Sequence, residues 1–239
     1  MCGKSRTLVI RQCLLADFFV AFLTAPVPAF ACRLALVLAI DVSVSVDQRD
    51  YALQRDGLAN ALRAPDVVGA FLASSSPVAL AAYEWSGPRH ARTVLNWTVM
   101  ASASEMYKAA DRIESLVRYQ TGSTSLGYAL SYGADVLATA PPCGRQTLDL
   151  SGDGRNNDGF SPKAAYRNRA FDGITVNALA IGGSEPLDSL VEYLERNVIR
   201  GTGAFVEVAR NHEEFETAMR RKLIREVKTV AVSRLRSSP

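Results

Sequence analysis

Leu34-Ala-Leu-Val-Leu-Ala-Ile40 is followed at once by Asp41-Val-Ser43-Val-Ser45. Seven consecutive apolar residues are typical of a strand that is buried on both faces, as in a parallel sheet covered by helices. The next five residues place one carboxylate and two hydroxyls at alternate positions. Open α/β sheets keep their ligand sites at the carboxyl ends of central strands, so we expect this chain to bind its ligand here.

Strand-like and helix-like segments alternate along the rest of the chain. Apolar runs predict further strands at 78–85, 92–97, 174–181 and 204–209, with another ending just before Asp153. The connection at 86–90 is so short that the second and third strands must be antiparallel, which makes the third an edge strand. This alternation predicts one α/β domain with a doubly wound, mostly parallel sheet and helices on both faces.

The first helix is expected at 47–62, directly after the Asp41 stretch. Ser45 and Gln48 have the spacing of a capping box, in which two side chains bond free backbone N–H groups of the first helical turn. Asn211 and Glu214 predict the same kind of start for the final helix. Both expectations follow from local spacing alone.

Residues 1–31 have the three parts of a secretory signal peptide. The parts are a positive segment with Lys4, Arg6 and Arg11, an apolar segment at 14–23 that Asp17 interrupts, and the cleavage sequence Ala29-Phe30-Ala31. An uncleaved membrane anchor is the alternative, but it needs a longer charge-free span of about 20 residues. We therefore expect a secreted protein with a folded domain at 32–232 and a loose polar tail at 233–239.

Composition and charge narrow the classes of partner. The 239 residues are 48% hydrophobic and 21% charged, which is ordinary for one globular domain that folds around its own core. The signal segment carries three of the 27 basic and one of the 24 acidic residues, so the remaining chain has a net charge of +1. This near neutrality gives no electrostatic case for nucleic acid, and no second apolar run has transmembrane length.

Two cysteines, Cys32 and Cys143, remain beyond the signal segment, and two cysteines in an oxidising compartment favour one disulfide. Cys32 lies 9 residues before Asp41 and Cys143 lies 10 before Asp153, so both fall at the opposite edge of the sheet if their strands are neighbours. Adjacent strands are about 4.8 Å apart, within the range that a disulfide spans. We predict a Cys32–Cys143 bridge. A lipidated Cys32 is the alternative, but the sequence before it is a poor lipidation signal.

Three loops of the predicted sheet carry oxygen-bearing side chains. They lie at 41–45, 121–124 and 151–154, and their candidate metal ligands are Asp41, Ser43, Ser45, Thr124 and Asp153. Each loop alone has a local explanation, since serine and threonine cap helices and Asp-Gly makes turns. If the first and fourth strands are neighbours, however, all three loops meet at one edge of the sheet. An oxygen-only set suits Mg²⁺, Mn²⁺ or Ca²⁺ rather than zinc or copper.

These loops resemble the metal-ion-dependent adhesion site (MIDAS) of the von Willebrand factor type A superfamily. The D-x-S-x-S element falls on 41–45, the threonine on Thr124 and the later aspartate on Asp153, and the resemblance covers about 34–227. It implies the strand order 3-2-1-4-5-6 with strand 3 antiparallel. It also implies that the hydroxyls hold the ion directly, that the aspartates often act through water, and that an Asp or Glu of a protein partner completes the shell.

Two details refine this resemblance. Val44 stands between the two serines, where the superfamily often has glycine, so a partner's backbone has less room to approach. Segments 83–87, 151–159 and 219–223 are similar to a secreted bacterial branch without an assigned biochemical function. That similarity implies a periplasmic location.

The sequence therefore favours a secreted, periplasmic binding module, not an enzyme, whose divalent cation captures a carboxylate of a protein partner. A metal-dependent hydrolase is the alternative. The chain lacks a G-x-S-x-G elbow, and neither His90 nor His212 is placed near Asp41 by sequence. A structural domain whose ion only ties loops together is a third interpretation. The 155–159 segment lacks the ligand spacing of an EF-hand and is expected to be a solvated turn.

Overall fold

The structure, a computed structural model, describes residues 32–118, 122–168 and 171–235. The predicted signal peptide, residue 121 of the second loop and residues 236–239 of the predicted tail lie outside this part. The strands are β1 Leu34–Asp41, β2 Val78–Trp85, β3 Ala91–Met100, β4 Gln146–Gly152, β5 Ile174–Ile181 and β6 Val206–Ala209. The helices are α1 Gln48–Arg63, α2 Pro65–Leu72, α3 Ala103–Glu114, α4 Leu126–Ala138, α5 Pro162–Asn168, α6 Leu187–Asn197 and α7 Phe215–Leu235, with a 3₁₀ turn at His212–Glu214.

The strands form one sheet in the order β3-β2-β1-β4-β5-β6. Neighbouring strands are parallel, except that β2 and β3 are antiparallel. The predicted α/β class, strand order and antiparallel edge strand are therefore confirmed. Because the order reverses between β1 and β4, the topological switch point lies at the carboxyl ends of these two central strands.

β1 is buried along its whole length because helices cover both faces of the sheet. Its even-numbered side chains, from Leu34 to Ile40, pack with α1, α2, α3 and α7. Its odd-numbered side chains, from Ala35 to Ala39, pack with α4, α5 and α6 on the other face. Burial on both faces explains the unbroken apolar run, and it makes Asp41 the first side chain of this strand that needs polar partners.

The start of α1 differs from the sequence prediction. Asp47, not Ser45, is the N-cap, and its carboxylate accepts a hydrogen bond from Asp50 N at 2.8 Å. A further helix, α2, follows at once with Pro65 in its first turn, where the missing N–H costs nothing. The capping-box prediction was wrong because Ser45 hydrogen-bonds outside the helix, as described below.

Element ends also differ from the sequence pattern. β3 extends to Met100, three residues beyond the predicted end at 97. α3 ends at Glu114, and Val117 beyond it is 77% exposed. α7 continues to Leu235, three residues into the segment that we expected to be a loose tail. Within the described ranges, no helix combines the length and the apolar character that crossing a membrane requires.

Cys32 and Cys143 form a disulfide, with their Cα atoms 4.5 Å apart. The two residues lie just before β1 and β4 and pair as an isolated parallel bridge. Gly144 N donates to Cys32 O at 2.9 Å, which continues the strand pairing. The predicted bridge therefore joins the two central strands at the edge of the sheet opposite Asp41.

Removing the disulfide is expected to lower the free energy of unfolding by about 3–4 kcal/mol, because the bridge closes a long loop in the unfolded chain. The two cysteines are 111 residues apart. A urea titration of the Cys32→Ser/Cys143→Ser double variant should show a lower midpoint than oxidised wild type. Reduced wild type is the control and should match the variant. Equal midpoints for oxidised and reduced wild type would contradict the prediction.

Candidate metal site

Asp41 is the last residue of β1, and its side chain is fully buried. Its Oδ1 atom accepts a hydrogen bond from Ser43 N at 2.7 Å. Its Oδ2 atom has no hydrogen-bond partner in the described part of the chain. Leaving a buried acceptor unsatisfied costs about 1–3 kcal/mol, and more for a charged group. The free oxygen is therefore the point where a cation would stabilise the site most.

A chain of oxygen atoms connects Ser43 to Asp153. Ser43 Oγ lies 3.1 Å from Ser45 Oγ, and Ser45 Oγ donates to Asp153 Oδ1 at 2.7 Å. Ser43 and Asp153 are buried, whereas Ser45 is exposed to solvent. Because β1 and β4 are neighbours, the loops that follow them meet at the switch point, as the sequence predicted.

Thr124 reaches the same edge from the loop before α4, and Asn157 holds it there. Asn157 Oδ1 accepts from Thr124 N, and Asn157 N donates to Thr124 O, both at 2.9 Å. Asn156 Oδ1 accepts from Gly127 N at 3.2 Å. The 155–159 segment is a largely exposed loop, as expected, but two of its side chains also position the loop that carries the threonine.

Two glycines leave space between the oxygen atoms. A Cβ atom at Gly152 would lie 3.1 Å from Asp41 Oδ2, and a Cβ atom at Gly154 would lie 3.5 Å from Thr124 Oγ1. Larger residues at these positions would direct their side chains at the oxygens. The site thus keeps an open space beside both Asp41 and Thr124.

Burial raises the pKa values of the carboxyl groups of Asp41 and Asp153. Burial, with the negative charge of Asp153 as the second cause, raises the pKa of Asp41 to about 7. Burial also raises the pKa of Asp153, although the hydrogen bond from Ser45 and the proximity of His212 oppose this rise. Two buried carboxylates at one edge are stable together only when a proton or a cation offsets their charge.

His212, which lies in the turn before α7, was not predicted as a neighbour of the site. A Cβ atom at Gly183 would lie 3.6 Å from His212 Cε1 and 3.8 Å from Asp153 Oδ2, so the imidazole neighbours the predicted ligand. His212 Nδ1 is 3.5 Å from Asp50 Oδ1, and the side chain is only 5% exposed. Its Nε2 atom lacks a hydrogen-bond partner among the described residues. The sequence around His212, next to a helix cap, did not indicate this position, because the residues that surround the imidazole come from other loops.

Solved structures of other proteins share the fold of this chain. Proximal thread matrix protein 1 from the mussel byssus, solved with a zinc-occupied MIDAS motif, has a TM-score of 0.60 and 17% identity, covering 82% of this chain and 48% of that chain. A von Willebrand factor type A protein from Catenulispora acidiphila has a TM-score of 0.59 and 16% identity, covering 82% and 43%. The pilus adhesin SpaC from Lactobacillus rhamnosus GG has a TM-score of 0.58 and 15% identity, covering 83% and 30%.

The chain therefore has the fold of von Willebrand factor type A domains, and it spans about half or less of the length of these three proteins. A family model places the chain in a group narrower than this fold class. Residues 31–231 match the family described as a protein of unknown function, DUF1194, and the chain belongs to that family. No curated protein matches the chain.

The predicted residues fit a hard divalent cation. They offer two carboxylates and three hydroxyls, and one buried carboxylate oxygen still needs a partner. A bound ion would supply the positive charge that both carboxylates need. The described ranges hold no group of three or more His, Cys, Asp or Glu residues placed to hold a metal, so a nitrogen- and sulfur-rich zinc site is not formed there.

Without metal, the protein is expected to lose stability as the pH rises. The pKa of Asp41, about 7, is higher than in the unfolded chain, so its contribution is complete below about pH 4 and is lost as the pH rises through about 7. In EDTA, wild type should have a lower Tm at about pH 8 than at about pH 5.5, and Asp41→Asn should reduce that difference.

Asp172→Asn is the control, because Asp172 is fully exposed on its side chain and pairs only loosely with Arg200 at 3.8 Å. It should leave the pH dependence unchanged. Asp149 is unchanged in both variants, so it does not affect the comparison between them. An unchanged slope in Asp41→Asn would contradict the prediction.

Proposed function

We propose that this protein is a secreted binding module that uses a divalent cation to capture a carboxylate of a protein partner. The metal ligands are Asp41, Ser43, Ser45, Thr124 and Asp153. One observation carries the proposal: Asp41 Oδ2 is buried without a partner at the point where the three loops meet, within the described residues. A cation held there by few protein charges keeps an open position for an outside oxygen.

Magnesium is the proposed ion, with Mn²⁺ and Ca²⁺ as alternatives. Oxygen-only donors suit hard cations, and a site that relies on hydroxyls leaves Mg²⁺ the bound water that it normally retains. The mussel protein was solved with zinc in its MIDAS motif, so metal choice in this fold class is not restricted to magnesium. The described chain adds no cysteine or histidine cluster that would favour zinc.

The surface around the site indicates the kind of partner. Val44 is 72% exposed between the two ligand serines, and Val117 is 77% exposed. Arg118, the next residue after Val117, reaches the Val44 loop with its guanidinium, whose Nη2 donates to Ser43 O at 2.9 Å. Val44, one of the two most exposed large apolar residues of the described chain, therefore lies between two of the proposed ligands. We infer that the partner presents an Asp or Glu next to an apolar side chain.

Secretion to a bacterial periplasm is part of the proposal. It rests on the predicted signal peptide at 1–31 and on the disulfide, which is typical of oxidising compartments. SpaC, one of the proteins of the same fold, is described as a pilus adhesin. Cleavage after the signal would leave a chain that begins at Cys32.

Metal-dependent hydrolysis is the second candidate function, and His212 is the observation that favours it. An Asp50–His212 pair beside Asp153 has the residue types of a general base and its orienting acid. The imidazole is only 5% exposed, however, so an outside substrate has little access to it. Turnover of a generic ester or phosphate that Asp153→Ala abolishes would favour this alternative over the binding module.

Calorimetric titration of residues 32–239 with Mg²⁺, Mn²⁺ and Ca²⁺ tests the metal site. One-to-one binding is expected for wild type and should be lost in Asp41→Ala, because that variant removes the unpaired carboxylate. Asp172→Ala, which removes an exposed carboxylate elsewhere, should bind as wild type does. If none of the ions binds to wild type, added acetate decides whether the ion requires the partner's carboxylate. Absence of binding with acetate as well would reject the site.

Short acetylated peptides test the partner chemistry. A Leu-Asp peptide should bind the magnesium-loaded protein about 5-fold more tightly than a Gly-Asp peptide, because partial burial of Val44 stabilises the complex by about 1 kcal/mol. Val44→Gly should remove this difference without weakening magnesium binding. Val99→Gly is the control, since Val99 is also exposed, at 44%, but lies on β3. Equal affinities for the two peptides would contradict the apolar contact.

A further inference from the structure

A second cluster of charged groups is buried between α7 and the sheet, away from the metal site. The Lys222 cluster comprises Lys222 and Glu226 of α7, Asp149 of β4 and Asn177 of β5. Lys222 is 0% exposed, Asp149 1%, Asn177 2% and Glu226 4%. Asp149 and Asn177 are register partners on adjacent strands, so their side chains lie next to each other under the helix.

The distances in this cluster are short. Lys222 Nζ is 2.8 Å from Asp149 Oδ1 and donates to Glu226 Oε1 at 3.0 Å. Asn177 Nδ2 donates to the same Glu226 oxygen at 2.8 Å. Lys222 Nζ also lies 4.7 Å from the centre of the Phe205 ring. The amine is therefore held between two carboxyl groups and covered by an aromatic ring.

The contact between Lys222 and Asp149 lacks hydrogen-bond geometry. Neither oxygen of Asp149 has a hydrogen-bond partner within the described ranges, although Nζ is close to Oδ1. Since a carboxyl C–O bond is about 1.2 Å long, Nζ is at most about 4 Å from the Asp149 carboxyl carbon. Reacting atoms in a productive arrangement are about 3–3.5 Å apart, so a small adjustment brings nitrogen and carbon into reach.

Burial acts against a charge on both groups, but the charges of Asp149 and Glu226 outweigh it at the lysine and raise the pKa of Lys222. Burial, opposed by the charge of Lys222 and assisted by that of Glu226, raises the pKa of Asp149 to about 7. The amine and the carboxylic acid that condense are therefore a minor form of the pair, reached when one proton passes from the lysine to Asp149. Taking two charges out of water costs several kcal/mol each, and an amide would remove that cost for both.

We propose that Lys222 and Asp149 form an intramolecular isopeptide bond, with Glu226 as the proton-transfer group. The Nζ lone pair attacks Asp149 Cγ, and Glu226 accepts a proton from the nitrogen. Glu226 then returns this proton to the departing hydroxyl, the Cγ–O bond breaks, and one water leaves. The product is a neutral amide beside an ionised Glu226, so atoms and charge balance without an oxidant or a cofactor.

The surroundings accommodate both product and leaving group. A cavity of about 10 Å³ is bordered by Asn177, Phe205 and Glu226, and this is close to the space that one water requires. Asn177 is not the acceptor carbonyl in this scheme, because its Oδ1 accepts from Phe205 N at 2.9 Å and its amide donates to Glu226. The amide bond would join β4 covalently to the middle of α7.

Intact-mass measurement of the purified wild-type chain tests the proposal directly. After reduction of the disulfide, the mass should be one water lower than that of the same chain calculated from its sequence. Trypsin should yield one branched peptide in which Gln146–Arg155 is linked to Lys222–Arg225. Trypsin should not cleave after Lys222, whose amine is blocked. A full sequence mass together with the free peptide 223–225 would overturn the proposal.

Three variants sharpen the result. Glu226→Gln keeps the shape of the side chain but removes the proton-transfer group. Lys222→Arg keeps the positive charge but removes the nucleophile. Both variants should have the full mass calculated from their sequences. Lys228→Arg, on an exposed position of the same helix, is the control and should remain one water lighter. A loss of ammonia, with Asn177 in the branched peptide, would reject the assignment to Asp149. Retention of the water loss in Lys222→Arg would reject the assignment to Lys222.

Discussion

The burial of Asp41 beside Asp153 is the physical constraint on which the candidate site depends. Both side chains are almost completely removed from solvent, at 0% and 1% exposure. No Lys or Arg forms an ion pair with either of them in the described part of the chain. Hydrogen bonds from Ser43 N and Ser45 Oγ offset only part of the charge. The fold therefore buries two carboxylates that need a compensating positive charge. The exposed side of the candidate site remains available to a ligand from outside the chain.

Much of this arrangement could be predicted because its causes are local or topological. An unbroken apolar run of only seven residues that ends in turn-forming residues is typical of a strand covered on both faces, and strand–helix alternation then favours a parallel sheet. Once β1 and β4 are neighbours, Asp41 and Asp153 must meet at one edge, and Cys32 and Cys143 must meet at the other. The nearly equal spacings of 9 and 10 residues along two parallel strands thus predicted contacts between residues more than a hundred positions apart.

Other features could not be predicted because their partners are remote and their own neighbourhoods suggest something simpler. Ser45 has the spacing of a helix cap, but Asp153 competes for its hydroxyl and Asp47 takes over the cap. Asn157 lies in a sequence typical of a turn, and only the folded chain shows that it holds Thr124 at two backbone atoms. Lys222 and Glu226, at i and i+4, have the pattern of a surface ion pair, although both are buried. The signal for their burial was in another element: Asp149 interrupts an apolar strand.

Covalent links make the sheet and the last helix a rigid support, whereas the loops that carry the candidate site can adjust. The disulfide ties β1 to β4 at one edge, and an amide at Lys222 would tie β4 to α7, so sheet and last helix become one covalent unit. Arg33, next to the disulfide, donates to Val227 O at 2.8 Å and holds α7 one turn further along. The polar contacts of the loops around Asp41 include hydrogen bonds from Ser43 and Ser45, and such bonds can be rearranged at low cost when a ligand replaces them. A rigid support with adjustable loops is what a site needs when its last metal ligand comes from a second molecule.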